Sequence, residues 1–271
     1  MAYYNRKPQL LKTLDSINES SIKNYELIIV DDGSAPEHTL ELAKLKKHCN
    51  GNVILIEIDP EKKAWINPCI AHNIAFSRVS GDKVIIQNPE TYHMGDILKS
   101  VEENLNPTSY ITYQTIAPTS EVTDLIYTKN TIAEVSAYMQ SIIHNTHSVG
   151  PNCPYNGFTI WYNHSKHRPV FYHFISAITK DNLFKLGGFD ERYKDDHSYD
   201  DNEILARIDR LGLKKSIVPN PMAIHLFHKM FYNISPFNGD QNNIYYYGHT
   251  LKETCISIQE LNFNNYTQYL K

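Results

Sequence analysis

The strongest constraint on the fold is a short apolar run that ends abruptly in acidic residues. Residues 27–30 read Leu-Ile-Ile-Val, and the sequence Asp-Asp-Gly-Ser follows directly at 31–34. A continuous aliphatic run of this kind predicts a strand that is buried on both faces of a parallel sheet. In open α/β sheets, ligands bind beyond the carboxyl ends of such strands. The alternative is an ordinary Asp-Gly turn after a strand, and the segments on either side must decide between the two.

A helix is predicted immediately before this strand. Leu10, Leu11, Leu14 and Ile17 have the spacing of the buried face of an amphipathic helix. Pro8 suits the first turn of that helix, where the missing N–H of proline costs no hydrogen bond. The segment from residue 8 to residue 34 is therefore predicted to be a helix followed by a buried strand.

Strand and helix patterns continue to alternate through the first hundred residues. Further strands are predicted at 53–58 and 83–86, and further helices at 36–48, 69–77 and 97–105. This order predicts an α/β fold with three α/β/α layers around a mostly parallel central sheet. Beyond residue 106 the periodicity weakens, although a helix is predicted near 131–143 and a strand at 216–218.

Composition excludes several classes of protein. With 41% hydrophobic and 21% charged residues, the chain of 271 residues is globular, and a formal charge of −4 argues against nucleic acid as a partner. No apolar run approaches the roughly 18 residues of a membrane span, and no signal peptide is visible at Met1. The four cysteines are widely scattered, which favours reduced thiols. We therefore expect a cytoplasmic protein without a transmembrane span.

The segment YYNRKPQLLKTLDSINESSIKNYELIIVDDGS at 3–34 resembles the N-terminal signature of family 2 glycosyltransferases of the GT-A fold. Members have an apolar strand before the YN element, whereas this chain begins at Met1-Ala2, so we expect the first strand to be missing. The resemblance implies a Rossmann-like GT-A domain over 1–271, with a nucleotide-sugar-binding half (1–105) and an acceptor-binding and catalytic half (106–271). It also implies inverting transfer from a nucleotide sugar, expected to be a UDP-sugar, to a hydroxyl of a glycan, protein or lipid.

A second resemblance concerns catalysis. The sequence GGFDE at 187–191 and the acidic segment at 199–207 are similar to the family's GGFDE loop and [ED]-D-x-[DE]-L-x-x-R element. The match assigns Asp201 as general base, with Asp200 and Glu203 as neighbours. Chemistry agrees, because a carboxylate must take the proton of the attacking hydroxyl. The alternative is an acidic helix N-terminus stabilised by the helix dipole, and both explanations can hold together.

A third segment is expected to bind a divalent cation. Where most family members carry D-x-D, this chain has Asn88-Pro89-Glu90, aligned through the downstream His93 and Asp96. Glu90 would supply a hard oxygen ligand for Mn²⁺ or Mg²⁺, whereas Asn88 offers only a neutral amide.

A histidine after the 216–218 strand is the expected third metal ligand. His225 and His228 are three residues apart, so on an extended strand they point to opposite faces. Unless the chain turns there, we therefore expect only one of them to reach the metal, His225 in preference and His228 next.

The resemblance also assigns contacts to the two substrates. Asp32 is expected to touch the nucleoside, and the full set of donor-binding residues is Tyr4, Asn5, Arg6, Asp31, Asp32, Asn67, Asn73 and Asn88. The expected acceptor-binding residues are Trp161, His173, Gly188, Phe189 and Asp190. The segment 238–271 is expected to cover the site or to form an oligomer contact. The open alternative is a non-catalytic glycan- or nucleotide-binding relative, which the absent first strand and Asn88 would suit.

Overall fold

A computed structural model describes residues 1–143, 160–195, 199–229 and 266–271. The strands in these ranges are β1 (Ala2–Tyr3), β2 (Glu26–Asp31), β3 (Asn52–Glu57), β4 (Lys83–Gln87), β5 (Thr91–His93), β6 (Ser109–Ala117), β7 (Ile160–Asn163), β8 (Ile175–Thr179) and β9 (Lys214–His225). The α-helices are α1 (Lys7–Asn18), α2 (Leu42–His48), α3 (Cys69–Phe76), α4 (Ile97–Asn104), α5 (Ser120–Tyr127), α6 (Ile132–Ile142), α7 (Lys180–Leu186) and α8 (Asp200–Arg210). The predicted α/β class is confirmed. The tyrosine-rich part of the expected C-terminal cover, at 238–265, lies outside the described residues.

The first sheet has the strand order β1-β2-β3 and is parallel throughout. The expectation that the first strand is missing is wrong, because Ala2 pairs with Val30 and Tyr3 with Asp31. The N–H of Asp32 donates to the carbonyl of Tyr3 at 2.8 Å. Two residues are too few to show the alternation that marks a strand in a sequence, which is why β1 was not predicted.

The second sheet has six strands in the order β4-β8-β6-β9-β5, with β7 paired to β6. It is mixed: β6 and β9 run parallel, whereas the β4–β8, β6–β8, β5–β9 and β6–β7 pairs are antiparallel. The parallel arrangement expected from the alternating pattern therefore describes the first sheet. In the second sheet, strands from the weakly periodic part of the chain insert between the others.

Burial explains why β2 lacks polar alternation. Ile28 and Val30 pack into one hydrophobic cluster together with α3 and β4. Leu27 and Ile29 pack on the opposite face against α1, where Leu10, Leu14 and Ile17 are buried as the helical spacing predicts. Leu11, which was predicted on the same helix face, is only half-buried. Both faces of the strand are therefore covered, and its carboxyl end carries the acidic turn to the rim of the sheet.

The predicted helices form close to their expected positions, except that one of them is divided into two parts. The 36–48 segment splits into a 3-10 turn at Pro36–His38 and helix α2. Helix α6 begins at a capping box, in which Thr131 and Glu134 satisfy one another's backbone N–H groups. Among the described helices, none is long and apolar enough to cross a membrane.

The last described residues return to the outer edge of the first sheet. Leu270 forms an antiparallel bridge with Ile58, and the N–H of Lys271 donates to the carbonyl of Glu57 at 3.1 Å. The N–H of Asp59 donates to the carbonyl of Tyr269 at 2.9 Å. The chain end therefore lies along β3, close to the acidic turn that follows β2.

Candidate active site

The acidic turn after β2 is held in shape by the segment that follows β1. The Asp31 carboxylate accepts the N–H of Ser34 at 2.9 Å, and Gly33 adopts a φ of +75°. The side chain of Asn5 accepts the N–H of Ala35 at 2.8 Å. Asn5 is therefore placed at the predicted donor site, where its side chain orders the turn.

Asp32 is buried at the same sheet end, and its carboxylate is engaged within the protein. One oxygen accepts the indole N–H of Trp65 at 2.9 Å, and the other pairs with Lys63 Nζ at 2.8 Å. Burial raises the pKa of Asp32, and the ammonium group of Lys63 opposes that shift. The same ammonium lies 4.2 Å from the centre of the Tyr4 ring. The Lys63 ammonium group therefore contacts both Tyr4 and Asp32. No sequence pattern indicates a role for Trp65.

The expected metal ligands come together around one carboxylate oxygen. Oε1 of the buried Glu90 lies 3.3 Å from His225 Nε2 and 3.6 Å from His228 Nε2. Arg6 Nη1 lies 2.8 Å from this oxygen, and the amide nitrogen of Asn88 lies 3.2 Å away. We call Glu90, His225 and His228 the glutamate cluster.

Both histidines reach Glu90, because the chain turns after His225. Strand β9 ends at His225, so residues 226–228 do not continue the alternation of an extended strand. The N–H of Leu226 donates to the carbonyl of Glu90 at 2.9 Å, which ties the chain to that residue at this point. Both imidazoles consequently face the same carboxylate.

The glutamate cluster fits a divalent cation by three observations. The potential ligand atoms of its members all lie within 4.8 Å of one another. Glu90 Oε2 and His225 Nδ1 are buried and have no hydrogen-bond partner among the described residues. Burial disfavours the charge on Glu90, but Arg6 and the two imidazoles hold its pKa well below the usual value. The ionised carboxylate supplies the oxygen ligand that Mn²⁺ and Mg²⁺ prefer, and the two imidazole nitrogens suit Mn²⁺ better than Mg²⁺.

A second acid–imidazole group lies at the start of α8, and we call His173, Asp200 and Asp201 the aspartate cluster. His173 Nδ1 lies 2.5 Å from Asp201 Oδ1, and the backbone N–H of His173 donates to the same oxygen at 2.9 Å. Burial and the neighbouring carboxylate of Asp201 raise the pKa of Asp200 to about 6. Asp201 is more accessible than its neighbours, with 24% of its side chain exposed.

Glu203 is placed apart from this chemistry, although the sequence grouped it with Asp200 and Asp201. Its two carboxylate oxygens accept from Arg207, at 2.6 Å from Nε and 2.5 Å from Nη2. Arg207 also donates to the carbonyls of Leu186 and Gly188. Arg207 therefore holds the glycine-rich loop against α8. Both oxygens of the Glu203 carboxylate are engaged in this ion pair, so Glu203 stabilises the fold here.

Asn73 and Asn67 support the loop and the carboxylates from α3 and the residues before it. The Asn73 side chain bonds both the N–H and the carbonyl of Phe189 at 2.8 Å. Asn67 lies beside Asp200 and favours the charged form of that carboxylate. The two asparagines that were expected to bind the donor are thus buried contacts of the glycine-rich loop and of Asp200.

The expected acceptor residues divide into two groups. Phe189 is buried and its ring lies 4.8 Å from that of His173, so it packs directly behind the aspartate cluster. Trp161 is buried in a hydrophobic cluster with α5 and α6. The ring of its neighbour Tyr162, which was not assigned, lies 4.3 Å from the ring of His225, with the two planes tilted by 40°.

Asp190 lies on the outer side of the same glycine-rich loop. Its carboxylate pairs with Arg192 at 2.6 Å and caps the following 3-10 turn. The Asp190 side chain is therefore already engaged within its own loop.

The two clusters lie on adjoining segments. Phe174 directly follows His173, and its carbonyl accepts the N–H of Asn88 and the hydroxyl of Thr91, both at 3.0 Å. The charge of Glu90 also contributes to raising the pKa of His173, although burial opposes that shift. The structure therefore brings the glutamate cluster and the partly exposed carboxylate of Asp201 next to one another, at the rim of a mixed α/β fold.

Sequence comparison assigns this α/β domain to a class of glycosyltransferases. Residues 1–171 match the profile of glycosyl transferase family 2, and the chain belongs to this family. A relative from Erwinia amylovora, described as the amylovoran biosynthesis glycosyltransferase AmsB, is 26% identical over 226 residues. That match covers 81% of this chain and 66% of the relative, so the chain spans slightly less than two thirds of that protein.

Solved structures share the GT-A fold. A mannosyltransferase from Pyrobaculum calidifontis, PcManGT, solved with GDP-Man and Mn²⁺, superposes with a TM-score of 0.53 at 18% identity. The match covers 85% of this chain and 56% of that one. TarS of S. aureus superposes with a TM-score of 0.54 at 13% identity, covering 83% of this chain and 36% of TarS. At these identities the likeness concerns the fold alone.

Proposed function

We propose that this protein is a metal-assisted inverting glycosyltransferase that moves a sugar from a nucleotide sugar to a hydroxyl group. The observation that carries the proposal is the adjacency of the glutamate cluster and the partly exposed Asp201 within a family 2 domain. A UDP-sugar is the proposed donor, and a hydroxyl of a glycan, protein or lipid is the proposed acceptor.

The proposed base is Asp201. Its carboxylate would take the proton of the acceptor hydroxyl as that oxygen attacks the anomeric carbon and the nucleoside diphosphate departs. His173 holds one oxygen of Asp201 through its ring and its backbone N–H, which fixes the direction of the carboxylate. The oxygen of Asp201 that these bonds leave open would face the acceptor, and we assign His173 as a positioning residue.

Donor binding would use the other half of the rim. The glutamate cluster would hold Mn²⁺ or Mg²⁺, which supplies Lewis-acid stabilisation of a leaving diphosphate when it is bound. Asp32 and its partner Lys63 lie at the end of β2, where open α/β sheets bind ligands. We assign nucleoside contact to Asp32 and phosphate contact to Lys63 and Arg6.

The proposal is tested by measuring transfer and donor hydrolysis with UDP- and GDP-sugars, with and without Mn²⁺. Metal-dependent turnover with at least one donor is expected. Absence of both turnover and nucleotide binding across the set would overturn it.

The second candidate is a nucleotide- or glycan-binding relative without catalysis, and the contact between Arg6 and Glu90 favours it. The guanidinium occupies the oxygen that a cation would use, at 2.8 Å. This candidate predicts that wild-type and Asp201→Asn proteins bind UDP equally well and that neither turns over a donor.

A further inference from the structure

Residues 266–271 contact both parts of the proposed site from one short stretch of chain. Tyr266 is buried in the hydrophobic cluster that also contains Phe189 of the glycine-rich loop and Trp65 from the donor end of the rim. Tyr269 packs against the same cluster. The segment therefore lies behind side chains that support the aspartate cluster on one side and the nucleotide end of the sheet on the other.

Tyr266 is tied to the glycine-rich loop through Glu191. Its hydroxyl donates to Oε1 of Glu191, and the side-chain amide of Asn73 donates to the same oxygen at 3.1 Å. Burial and the adjacent Glu191 carboxylate raise the pKa of Tyr266, so the hydroxyl keeps its proton and remains a donor. The amide of Asn73 also donates to the carbonyl of Phe189 at 2.8 Å. One polar network therefore joins Tyr266 to the part of the loop that packs behind His173.

Tyr269 acts at the other end of the rim, through Trp65. The two rings meet edge to face, with their centres 5.0 Å apart and an angle of 79° between their planes. Aromatic pairs favour this arrangement. The N–H of Asp59 donates to the carbonyl of Tyr269 at 2.9 Å, which holds its backbone beside β3. Because the indole N–H of Trp65 donates to Asp32 at 2.9 Å, Tyr269 limits the orientations of the ring that holds this carboxylate.

One tight turn carries both tyrosines. Residues Thr267–Tyr269 form a 3-10 turn, and the N–H of Tyr269 donates to the carbonyl of Tyr266 at 3.0 Å. The two loops that the tyrosines contact are also joined through their backbones, since the N–H of Asn67 donates to the carbonyl of Lys194 at 3.0 Å. Because this framework is held by backbone bonds, each tyrosine influences mainly the side chains that it touches.

We propose that Tyr266 and Tyr269 are positioning residues with separate effects. Tyr266 fixes the glycine-rich loop behind the aspartate cluster and so acts on transfer. Tyr269 fixes Trp65 beside Asp32 and so acts on nucleotide binding. The inference rests on the proposed function, because it takes Asp201 as the base and Asp32 as a nucleoside contact.

The first pair of variants tests Tyr269. Tyr269→Leu removes the ring but keeps apolar bulk, whereas Tyr269→Phe keeps the ring contact with Trp65. Calorimetry in the presence of Mn²⁺ uses the nucleoside diphosphate that the wild-type protein binds, UDP or GDP. For Tyr269→Leu we expect its dissociation constant to rise by about 2–10-fold, which is the contribution of one aromatic pair. The value of kcat should change by less than about twofold, and Tyr269→Phe should match wild type.

The variant Tyr266→Phe removes only the hydroxyl that is bound to the loop. We expect kcat to fall by about 5–50-fold, because a small displacement behind a reacting group is costly, while nucleotide affinity changes by less than about twofold. Hydrogen exchange at the N–H of Phe189, which donates to Asn73 at 2.8 Å, should quicken by about fivefold or more in the protein alone. The matched control is Tyr138→Phe, at a half-buried position on α6.

Two results would overturn the proposal. The first is a Tyr266→Phe protein that equals the Tyr138→Phe control in kcat and in exchange, or a Tyr269→Leu protein that binds nucleotide as tightly as Tyr269→Phe. The second is an equal loss of affinity and of kcat in both test variants, since a general loosening of the fold would then explain them. Affinity and exchange are measured without glycosyl transfer. A wild-type protein without turnover would therefore count against the proposed function, while these two readouts still decide the inference.

Discussion

The glutamate cluster and the aspartate cluster contain the same kinds of side chain but differ in charge balance. Glu90 is 1% exposed and faces two imidazoles and the Arg6 guanidinium, so its negative charge is matched locally. In the other cluster, Asp200 and Asp201 share one imidazole, that of His173. A matched and buried carboxylate suits ligand binding, whereas surplus negative charge beside an accessible oxygen suits proton transfer.

The largest expected effect comes from Asp201→Asn. Loss of the base should lower the transfer rate by roughly 10²–10⁴-fold while nucleotide affinity stays unchanged. The control is Asp209→Asn on the same helix, where the carboxylate pairs with Lys215 at the surface. Steady-state kinetics and calorimetric nucleotide binding check both variants. A rate within a few-fold of wild type would remove Asp201 from the mechanism.

The variant Glu90→Gln tests the glutamate cluster, in which the negative charge is matched by nearby positive groups. We expect Mn²⁺ affinity, measured by calorimetry, to fall about tenfold or more, because the cluster loses its only carboxylate. The free energy of unfolding should also fall, by about 2 kcal/mol, since Arg6 loses its partner.

A double variant separates these two effects of Glu90. Adding Arg6→Gln should recover much of the lost stability, because no cation is then left without a partner, but it should not recover metal affinity. Unchanged Mn²⁺ affinity in Glu90→Gln would place the cation elsewhere in the protein.

The variant His173→Gln tests whether positioning of Asp201 matters. Because misplacement of a reacting group is costly, we expect kcat to fall by about 10–100-fold with a smaller change in KM. The pH at which the rate reaches half of its plateau should also shift, which a purely structural change would not produce. His48→Gln, on the outer helix α2 and paired with Asp15, is the matched histidine control.

The smallest expected effect is a pH dependence of stability that arises from Asp200. Its pKa rises from 3.8 to about 6 in the folded protein. The folded state therefore binds more protons than the unfolded state between these values, and the free energy of unfolding falls as pH rises from about 4 to 6. Asp200→Asn should remove this fall, on the order of 1–3 kcal/mol, in denaturant titrations at pH 4 and pH 7. A slope identical to that of wild type would contradict the shift.

The sequence was informative where structure follows from local pattern. Strand β2 was predictable because burial on both faces leaves an uninterrupted apolar run. The contacts of Asp32 were not predictable, because Trp65 lies 33 residues away in the chain and no spacing rule links the two. The pair Glu203–Arg207 lies between these cases, since an acid and a base four residues apart on a helix commonly form an ion pair. That spacing alone predicts that Glu203 pairs with Arg207, which distinguishes it from Asp200 and Asp201.

His225 and His228 show a second limit of prediction from residue spacing. Opposite orientation of His225 and His228 follows only if the strand continues, and the end of β9 depends on its pairing with β5 and β6. Likewise, the choice between Trp161 and Tyr162 depends on which face of β7 meets the core. Their adjacency in the sequence leaves that choice open until β7 is paired with β6.

The return of the chain end along β3 has a consequence for solubility. Among the described strands, β3 is the outer one of its sheet. An uncovered strand of this kind can add strands from other molecules and so lead to aggregation. The residues from Tyr269 to Lys271 occupy backbone groups between Glu57 and Asp59. Removing these three residues would therefore expose a template for intermolecular pairing.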